Sequence, residues 1–425
     1  LNRRVPNGTH GGVRGRGFNK SPPTRLMKSP RHALHSSYGC GTLSSLIERI
    51  NMEESYNTYE KVLINRAFQK GIPLNASFEL SPLCNMNCRM CYVRLSKEEM
   101  KEKGRLRTAR EWLELAHQMR DAGTLFIILT GGEPLLYPEF KEVYLGLRKL
   151  GMIITVNTNG TILDEAWANF FAENPPRRIN ITLYGTDKET YRDLCRFENG
   201  YEKALKGIEL LVKRKVAVKI NGSLVQANEK QIDEIVKIAN ELGTAVNVDT
   251  YMYPAQRERT KPFDLQARLS PEKAAAAKLH FMKQTMEKGA FKEMCRQTME
   301  SVHMIEQETL KDKLPEKMHC QAGRTSFAVS WQGKMQPCVM LNCPSFPIFE
   351  IGVKSSWQQL KNAVNEIYLS GECSVCKYRT VCQTCAACAL HEGGSFDAVP
   401  KYMCRYTYML ADIQTVLLQH IEENG

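Results

Sequence analysis

"ASFELSPLCNMNCRMCYVR", residues 76–94, joins two signals in one stretch. Its first six residues are a short, apolar, strand-like run. Its remainder spaces Cys84, Cys88 and Cys91 as Cys-x3-Cys-x2-Cys. Thiols placed directly after a strand sit on a loop. A cube of four irons offers four ligand positions, and thiolates suit it. Three protein thiolates leave one iron without a protein ligand, as a catalytic zinc keeps one position open for its reactant. A zinc knuckle with a distant fourth ligand is the alternative reading of the same spacing.

Working outward, five more strand-like runs follow: "LFIILT" (125–130), "MIITVN" (152–157), "RINITL" (178–183), "VAVKINGS" (216–223) and "TAVNVDT" (244–250). Amphipathic stretches separate them. Residues 108–123 open with Thr108 and carry Glu111 three positions on, a capping-box signature. Residues 201–215 repeat apolar side chains along one helical face. Residues 228–243 end in Gly243, a plausible cap. Six β-α alternations imply a parallel sheet with right-handed crossovers, short of the eight that close a barrel. The expected class is α/β, with a partial (β/α)6 TIM-like barrel whose ligands bind beyond the C-terminal strand ends. Periodicity alone also admits a flat, doubly wound sheet.

The flanks read differently. Residues 1–40 are rich in Gly, Pro, Ser and Arg and lack helical or strand period, a composition that buries too little to order itself. The expectation is that 1–51 is a disordered or non-native extension, with translation opening at Met52. An Arg/Gly-rich RNA-binding arm is the sharper alternative. Of the net charge of +12, that stretch supplies +8, from nine Lys/Arg against one Asp/Glu; 49 basic and 45 acidic residues remain. This balance argues against nucleic acid as a partner of the folded part. The longest apolar runs are far too short for a bilayer, and no secretory signal is visible, so a cytoplasmic location without membrane attachment is expected. Residues 265–319 read as a helical bridge of long polar helices. Residues 320–425 hold nine of the fifteen cysteines: Cys320, Cys338, Cys343, Cys373, Cys376, Cys382, Cys385, Cys388 and Cys404. Clustered thiols in a chain of this kind read as metal ligation. Two four-iron clusters or two zinc sites are equally compatible with the count. Cys195 and Cys295 read as buried small apolar residues.

The loop of Cys84, Cys88 and Cys91, with aromatic Tyr92 directly after it, resembles the signature of the radical S-adenosylmethionine enzymes. "TGGEP" (130–134) stands one β-α unit later, in register with that family. The resemblance implies that Gly131, Gly132, Glu133 and Pro134 receive the methionyl ammonium. The physics agrees: an ammonium needs acceptors, and glycines let backbone carbonyls approach. "NTNGT" (157–161), with Asn159, "ITLYG" (181–185), with Thr182 for the ribose, and "INGSLV" (220–225), with Asn221 and Ser223, fit the remaining cofactor contacts. The resemblance spans roughly 74–255, within a core at 52–264. It implies a 4Fe-4S cluster with an open site, S-adenosylmethionine as cofactor, and a 5′-deoxyadenosyl radical that abstracts a substrate hydrogen.

The C-terminal series resembles the SPASM extension: Cys320, then Gly333-x4-Cys338, then Cys373, Cys376 and Cys382, then Cys404. It departs at the sixth position, where Cys385 and Cys388 flank Ala386. By resemblance one auxiliary cluster uses Cys373, Cys376, Cys382 and Cys404. The other uses Cys320, Cys338, one of Cys385 and Cys388, and Cys343 as a candidate extra ligand. SPASM enzymes mostly modify peptides or proteins, so the expected activity is a ribosomal-peptide maturase forming thioether or carbon–carbon crosslinks. Formylglycine formation is a second option, disfavoured because Val339 stands where that group has Asp. Oxidation of a small molecule of tetrapyrrole type is a third. A non-enzymatic metal-binding scaffold is the reading from another class. An electron donor such as flavodoxin or ferredoxin is implied. Residues 52–75 are too few to build a leader-binding module, so a separate leader-peptide-binding protein is a candidate partner. Asp249, Tyr251 and Tyr253 at the end of the sixth strand are candidates to touch substrate, although a structural role fits them as well.

Overall fold

A computed structural model describes residues 54–253, 267–307 and 314–423. The expected extension at 1–51 lies outside them. Helix α1 (Glu54–Lys70) leads into β1 (Asn75–Glu79), α2 (Lys97–Lys103), α3 (Ala109–Asp121), β2 (Phe126–Thr130), α4 (Phe140–Lys149) and β3 (Ile153–Thr158). Then come α5 (Glu165–Glu173), β4 (Arg178–Leu183), α6 (Lys188–Cys195), α7 (Gly200–Lys213), β5 (Val218–Ser223), α8 (Ile232–Glu241) and β6 (Ala245–Asp249). All six strands pair in parallel and in sequential order. The capping box of α3 forms as its sequence implies, Thr108 accepting from Glu111 N while the Glu111 carboxylate accepts from Thr108 N.

Strand side chains alternate between two faces. Ile127, Leu129, Ile154, Val156, Ile179, Ile181 and Leu183 are almost wholly buried on the helix side. The opposite face carries Thr130, Asn157, Asn180, Thr182, Asn221, Ser223, Asn247 and Asp249, aligned by the strand register. A closed eight-stranded barrel fills this space with layers of Val, Ile and Leu. Here that face is mostly polar toward the C-terminal strand ends.

Beyond β6 come α9 (Pro271–Thr285) and α10 (Lys288–Gln307). Short strands β7 (Glu316–Lys317), β8 (Ser326–Val329), β9 (Lys334–Gln336) and β10 (Phe346–Pro347) precede α11 (Ile348–Asn365). Last come β11 (Tyr368–Leu369), α12 (Gly371–Ser374), α13 (Ala386–Gly393) and α14 (Lys401–Glu423). The cysteine-rich part does not merely follow the barrel. β8 pairs in parallel with β1, and β9 and β10 continue the same sheet, which reaches nine strands. α11 closes this added wing against α3. Fully buried Trp112 packs between Phe78 (4.6 Å between ring centroids) and Phe349 (5.4 Å). Trp357 Nε1 donates to Gly71 O at 2.8 Å, and Arg107 lies over the Phe349 ring. Truncating Trp112 to Ala would cost about 3–5 kcal/mol by loss of this packing.

α9 is tied to the end of β6 by an unusual contact. Lys278 is fully buried and its Nζ donates to Val248 O at 3.1 Å. α14 packs on α9 and α10, and Tyr406 Oη meets Thr250 Oγ1 at 3.3 Å. Among the described residues no helix is long and apolar enough to cross a membrane.

Candidate active site

The cysteine loop follows β1 and is pinned on both sides. Toward β2, Leu80 N donates to Thr130 O (3.0 Å), Gly132 N to Ser81 O (2.8 Å) and Glu133 N to Leu83 O (2.9 Å). Toward α6, Asn87 N donates to Cys195 O and Arg89 N to Leu194 O, both at 2.9 Å. Gly131 has φ +145°, and a Cβ there would stand 2.4 Å from Ser81 O. A Cβ on Gly132 would stand 2.4 Å from Leu83 O. The two glycines therefore let the turn after β2 seat directly on the backbone of the cysteine loop.

Glu133 is fully buried, and its carboxylate is committed. Oε1 accepts from Thr158 Oγ1 (2.7 Å) and Leu135 N (3.1 Å), while Oε2 accepts from Asn159 N (2.8 Å). Burial pushes its pKa up to about 7 against the pull of these donors. It clamps the end of β2 to the end of β3. Pro134 begins a single 3-10 turn behind it. Asn159 is equally engaged: its Nδ2 donates to Asn85 Oδ1 (2.9 Å) and approaches Cys84 Sγ (3.6 Å), and its Oδ1 accepts from Thr161. Asn85 Nδ2 completes the ring by donating to Thr161 Oγ1 at 2.8 Å. Thr182, Asn221 and Ser223 are half-buried on the inner face of the barrel, and Tyr92 is half-buried beside Cys91.

The loop thiols suit an iron–sulfur cluster. Met86 N donates to Cys84 Sγ (3.4 Å) and Arg94 N to Cys91 Sγ (3.3 Å), donors that favour the ionised sulfur. Burial, with Glu133 nearby, holds the Cys84 thiol far above its ordinary pKa, and a bound metal would favour its thiolate. The Nε atoms of Arg89 and Arg94 are buried without a partner among the described residues.

The C-terminal cysteines fall into two groups. Cys404 faces Cys382, Cys373 and Cys376, so the expected foursome stands together. Cys338 faces Cys320 and Cys385. Burial pushes the thiols of Cys338 and Cys404 up to about 12 and that of Cys373 up to about 11. A bound cation would favour their thiolates too. Cys388 is completely buried between Cys385 and Cys382, with Tyr251 Oη 3.0 Å from its sulfur. Cys343 is exposed, and burial alone sets its thiol; the structure brings it into neither group. Among the described residues no three His, Cys, Asp or Glu converge closely enough to grip one ion. A four-iron cube instead takes one thiolate at each corner.

Several neighbours were invisible to motif reading. Tyr184, directly after β4, faces all three loop thiols. Tyr251, two residues after β6, donates to Glu392 Oε1 at 2.5 Å, and Arg268 pairs with the same oxygen at 2.6 Å. Tyr253 Oη lies 3.5 Å from Cys385 Sγ. The sequence pointed to Tyr251 and Tyr253 as barrel-end residues that could touch substrate, but not to their contacts with Cys388, Glu392 and Cys385. Asp249 shares the inner barrel face with Ser223 and accepts from Asn247 Nδ2 at 3.2 Å.

Comparison with known proteins agrees with this geometry. The model of the radical SAM superfamily matches residues 78–250. The AdoMet-dependent heme synthase of Methanosarcina barkeri is 26% identical over 343 residues, covering 79% of this chain and 97% of that protein. The subtilosin biosynthesis protein AlbA of Bacillus subtilis is 24% identical over 62% of this chain and 55% of its own length. Among solved structures, SuiB of Streptococcus suis with S-adenosylmethionine bound has a TM-score of 0.60 at 17% identity, covering 85% of each chain. Native anSMEcpe with bound AdoMet also gives 0.60, at 18% identity, covering 83% of this chain and all of that one.

Proposed function

We propose that this chain, an enzyme of the radical SAM superfamily by its domain at residues 78–250, abstracts hydrogen from a peptide or protein and matures it by a thioether or carbon–carbon crosslink. The observation that carries the reading is the cysteine loop seated on the Gly131–Gly132 turn at the open end of a polar half-barrel. Cys84, Cys88 and Cys91 would hold a four-iron cluster with one open iron, which would supply the electron that cleaves S-adenosylmethionine. The chain's own residues do the remaining work. Gly131 and Gly132 present backbone carbonyls to the methionyl ammonium, with Glu133 as the rigid clamp beneath them. Thr182, Asn221 and Ser223 offer polar atoms to the ribose, and Tyr92 lies beside the adenosyl group. Asn159 and Asn85 fix the loop so that the thiols keep their positions.

In this reading Cys373, Cys376, Cys382 and Cys404 hold one auxiliary cluster. Cys320, Cys338 and Cys385 hold the other, without Cys343 and with Cys388 as a buried neighbour. The peptide assignment draws support from two fold neighbours: SuiB has been solved with its precursor peptide SuiA, and anSMEcpe with a Cp18Cys peptide. Val339 follows Cys338 directly, so no carboxylate stands there for formylglycine chemistry. A second reading, oxidation of a tetrapyrrole-type small molecule, is favoured by the match along nearly the whole length of a heme synthase.

One experiment separates the two. Anaerobically reconstituted enzyme receives reductant and S-adenosylmethionine, with short Cys-rich peptides encoded beside its gene in one arm and tetrapyrroles in the other. A peptide that loses two hydrogens with matching 5′-deoxyadenosine supports maturation. A changed tetrapyrrole with unchanged peptides overturns it in favour of the second reading.

A further inference from the structure

The two C-terminal cysteine groups differ in what surrounds their sulfurs. In the group beside the barrel, Cys320 accepts from Ala322 N (3.5 Å), and the backbone amides of Met340 and Leu341 reach Cys338. Cys385 accepts from Cys388 N (3.5 Å) and meets Tyr253 Oη (3.5 Å), which is the donor once the sulfur is ionised. The Arg324 guanidinium faces Cys320, and its own hydrogen bond goes to a neutral carbonyl, that of Met318. Among the described residues three thiolates thus share three donors at hydrogen-bond distance, two nearby backbone amides and a cation.

The outer group is poorer in donors and richer in negative charge. Four thiolates share three hydroxyls: Thr384 Oγ1 (3.1 Å) and Thr407 Oγ1 (3.5 Å) on Cys382, and the Tyr408 hydroxyl on Cys376. Glu372 faces Cys373, and Glu392, paired with Arg268, faces Cys404. Arg379 also faces Cys373, but Glu316 engages its guanidinium at 2.9 Å. The reduction potential of an iron–sulfur cluster rises with fewer negative ligands and with hydrogen bonds to its sulfurs.

We propose that the group at Cys320, Cys338 and Cys385 holds the auxiliary cluster of higher reduction potential, with Tyr253 as a positioning residue that hydrogen-bonds its sulfur from the barrel end. The inference rests on the reading that both groups hold four-iron clusters.

The test is an EPR-monitored redox titration of the reconstituted full chain, with iron counted on the same sample. The signal of the cluster on Cys84, Cys88 and Cys91 is identified by its response to S-adenosylmethionine. Tyr253→Phe is expected to move the earlier-reduced auxiliary signal to lower potential and leave the later one in place. Thr407→Val is expected to do the reverse, and Thr407→Ser to restore the wild-type value. If Tyr253→Phe moves the later signal, or neither, the inference is overturned while iron near twelve per chain leaves the two-cluster reading standing. Iron near four per chain overturns that reading and this inference with it.

Discussion

Replacing Gly132 by Ala presses one methyl group into the most constrained contact of the site. The new Cβ would stand 2.4 Å from Leu83 O and 2.7 Å from Pro82 O. Both are backbone atoms of the cysteine loop, so no side chain can swing aside. A carbon–oxygen contact settles near 3.3 Å at closest, so the loop must retreat by about 0.9 Å. That movement pulls on the bonds from Gly132 N to Ser81 O and from Glu133 N to Leu83 O. Overpacking of this kind costs about 1–3 kcal/mol of stability. A displacement of about 1 Å at a reacting centre costs about 100-fold in rate. The assay is 5′-deoxyadenosine formation with reductant, alongside iron content and a urea midpoint. Gly132→Ala should retain its fold and most of its iron yet cleave S-adenosylmethionine about 100-fold more slowly. Gly289→Ala serves as the control, because a Cβ there meets nothing closer than 3.7 Å. Wild-type cleavage by Gly132→Ala at full iron content would refute the argument that this seat positions the cofactor.

Other outcomes follow from the same geometry. Cys338→Ala should remove one auxiliary cluster's iron, whereas Cys343→Ala should leave the iron content unchanged; equal losses would return Cys343 to the ligand set. Burial lowers the pKa values of Lys278 and Lys219 to about 8, against 10.5 when unfolded. Between those values the unfolded chain binds more protons, so stability should rise with pH from about 8 to 10.5. In urea melts across that range, Lys278→Met should flatten the rise by up to about 1.4 kcal/mol per pH unit. An unchanged slope would mean that Lys278 stays protonated in the fold. Prolonged exposure to air should abolish activity, since a cluster with an open iron is oxygen-sensitive; persistent turnover would contradict an open-site cluster.

The barrel was legible because its signal is local. Each of β2 to β6 lies within a residue or two of a run rich in Ile, Val and Thr, β1 lies within one residue of the run "ASFELS", and Thr108 with Glu111 announced α3. The wing was not legible. β8 joins β1 across some 250 residues of chain, and "SFAV" carries no mark of its partner. Helices α9 and α10 matched the polar pattern, but the burial of Lys278 inside α9 runs against it. At the site, spacing singled out Cys84, Cys88 and Cys91 as candidate ligands, because that pattern is written in side chains. The carbonyls of Leu194 and Cys195 that brace the loop have no letter of their own. Glu133 and Asn159 were read as cofactor contacts. Their side chains also hold strand ends and loop together, a role that only the fold reveals. Cys385 and Cys388 are not separated by spacing; in the fold Cys338 faces Cys385, which is why Cys385 is the one proposed as ligand.

The most direct measurement is reductive cleavage of S-adenosylmethionine by the anaerobically reconstituted chain, followed as 5′-deoxyadenosine beside a Cys88→Ala variant. The account predicts 5′-deoxyadenosine from the wild type and none from Cys88→Ala, with about four irons fewer in the variant. No 5′-deoxyadenosine from a wild type with its full iron complement would contradict it.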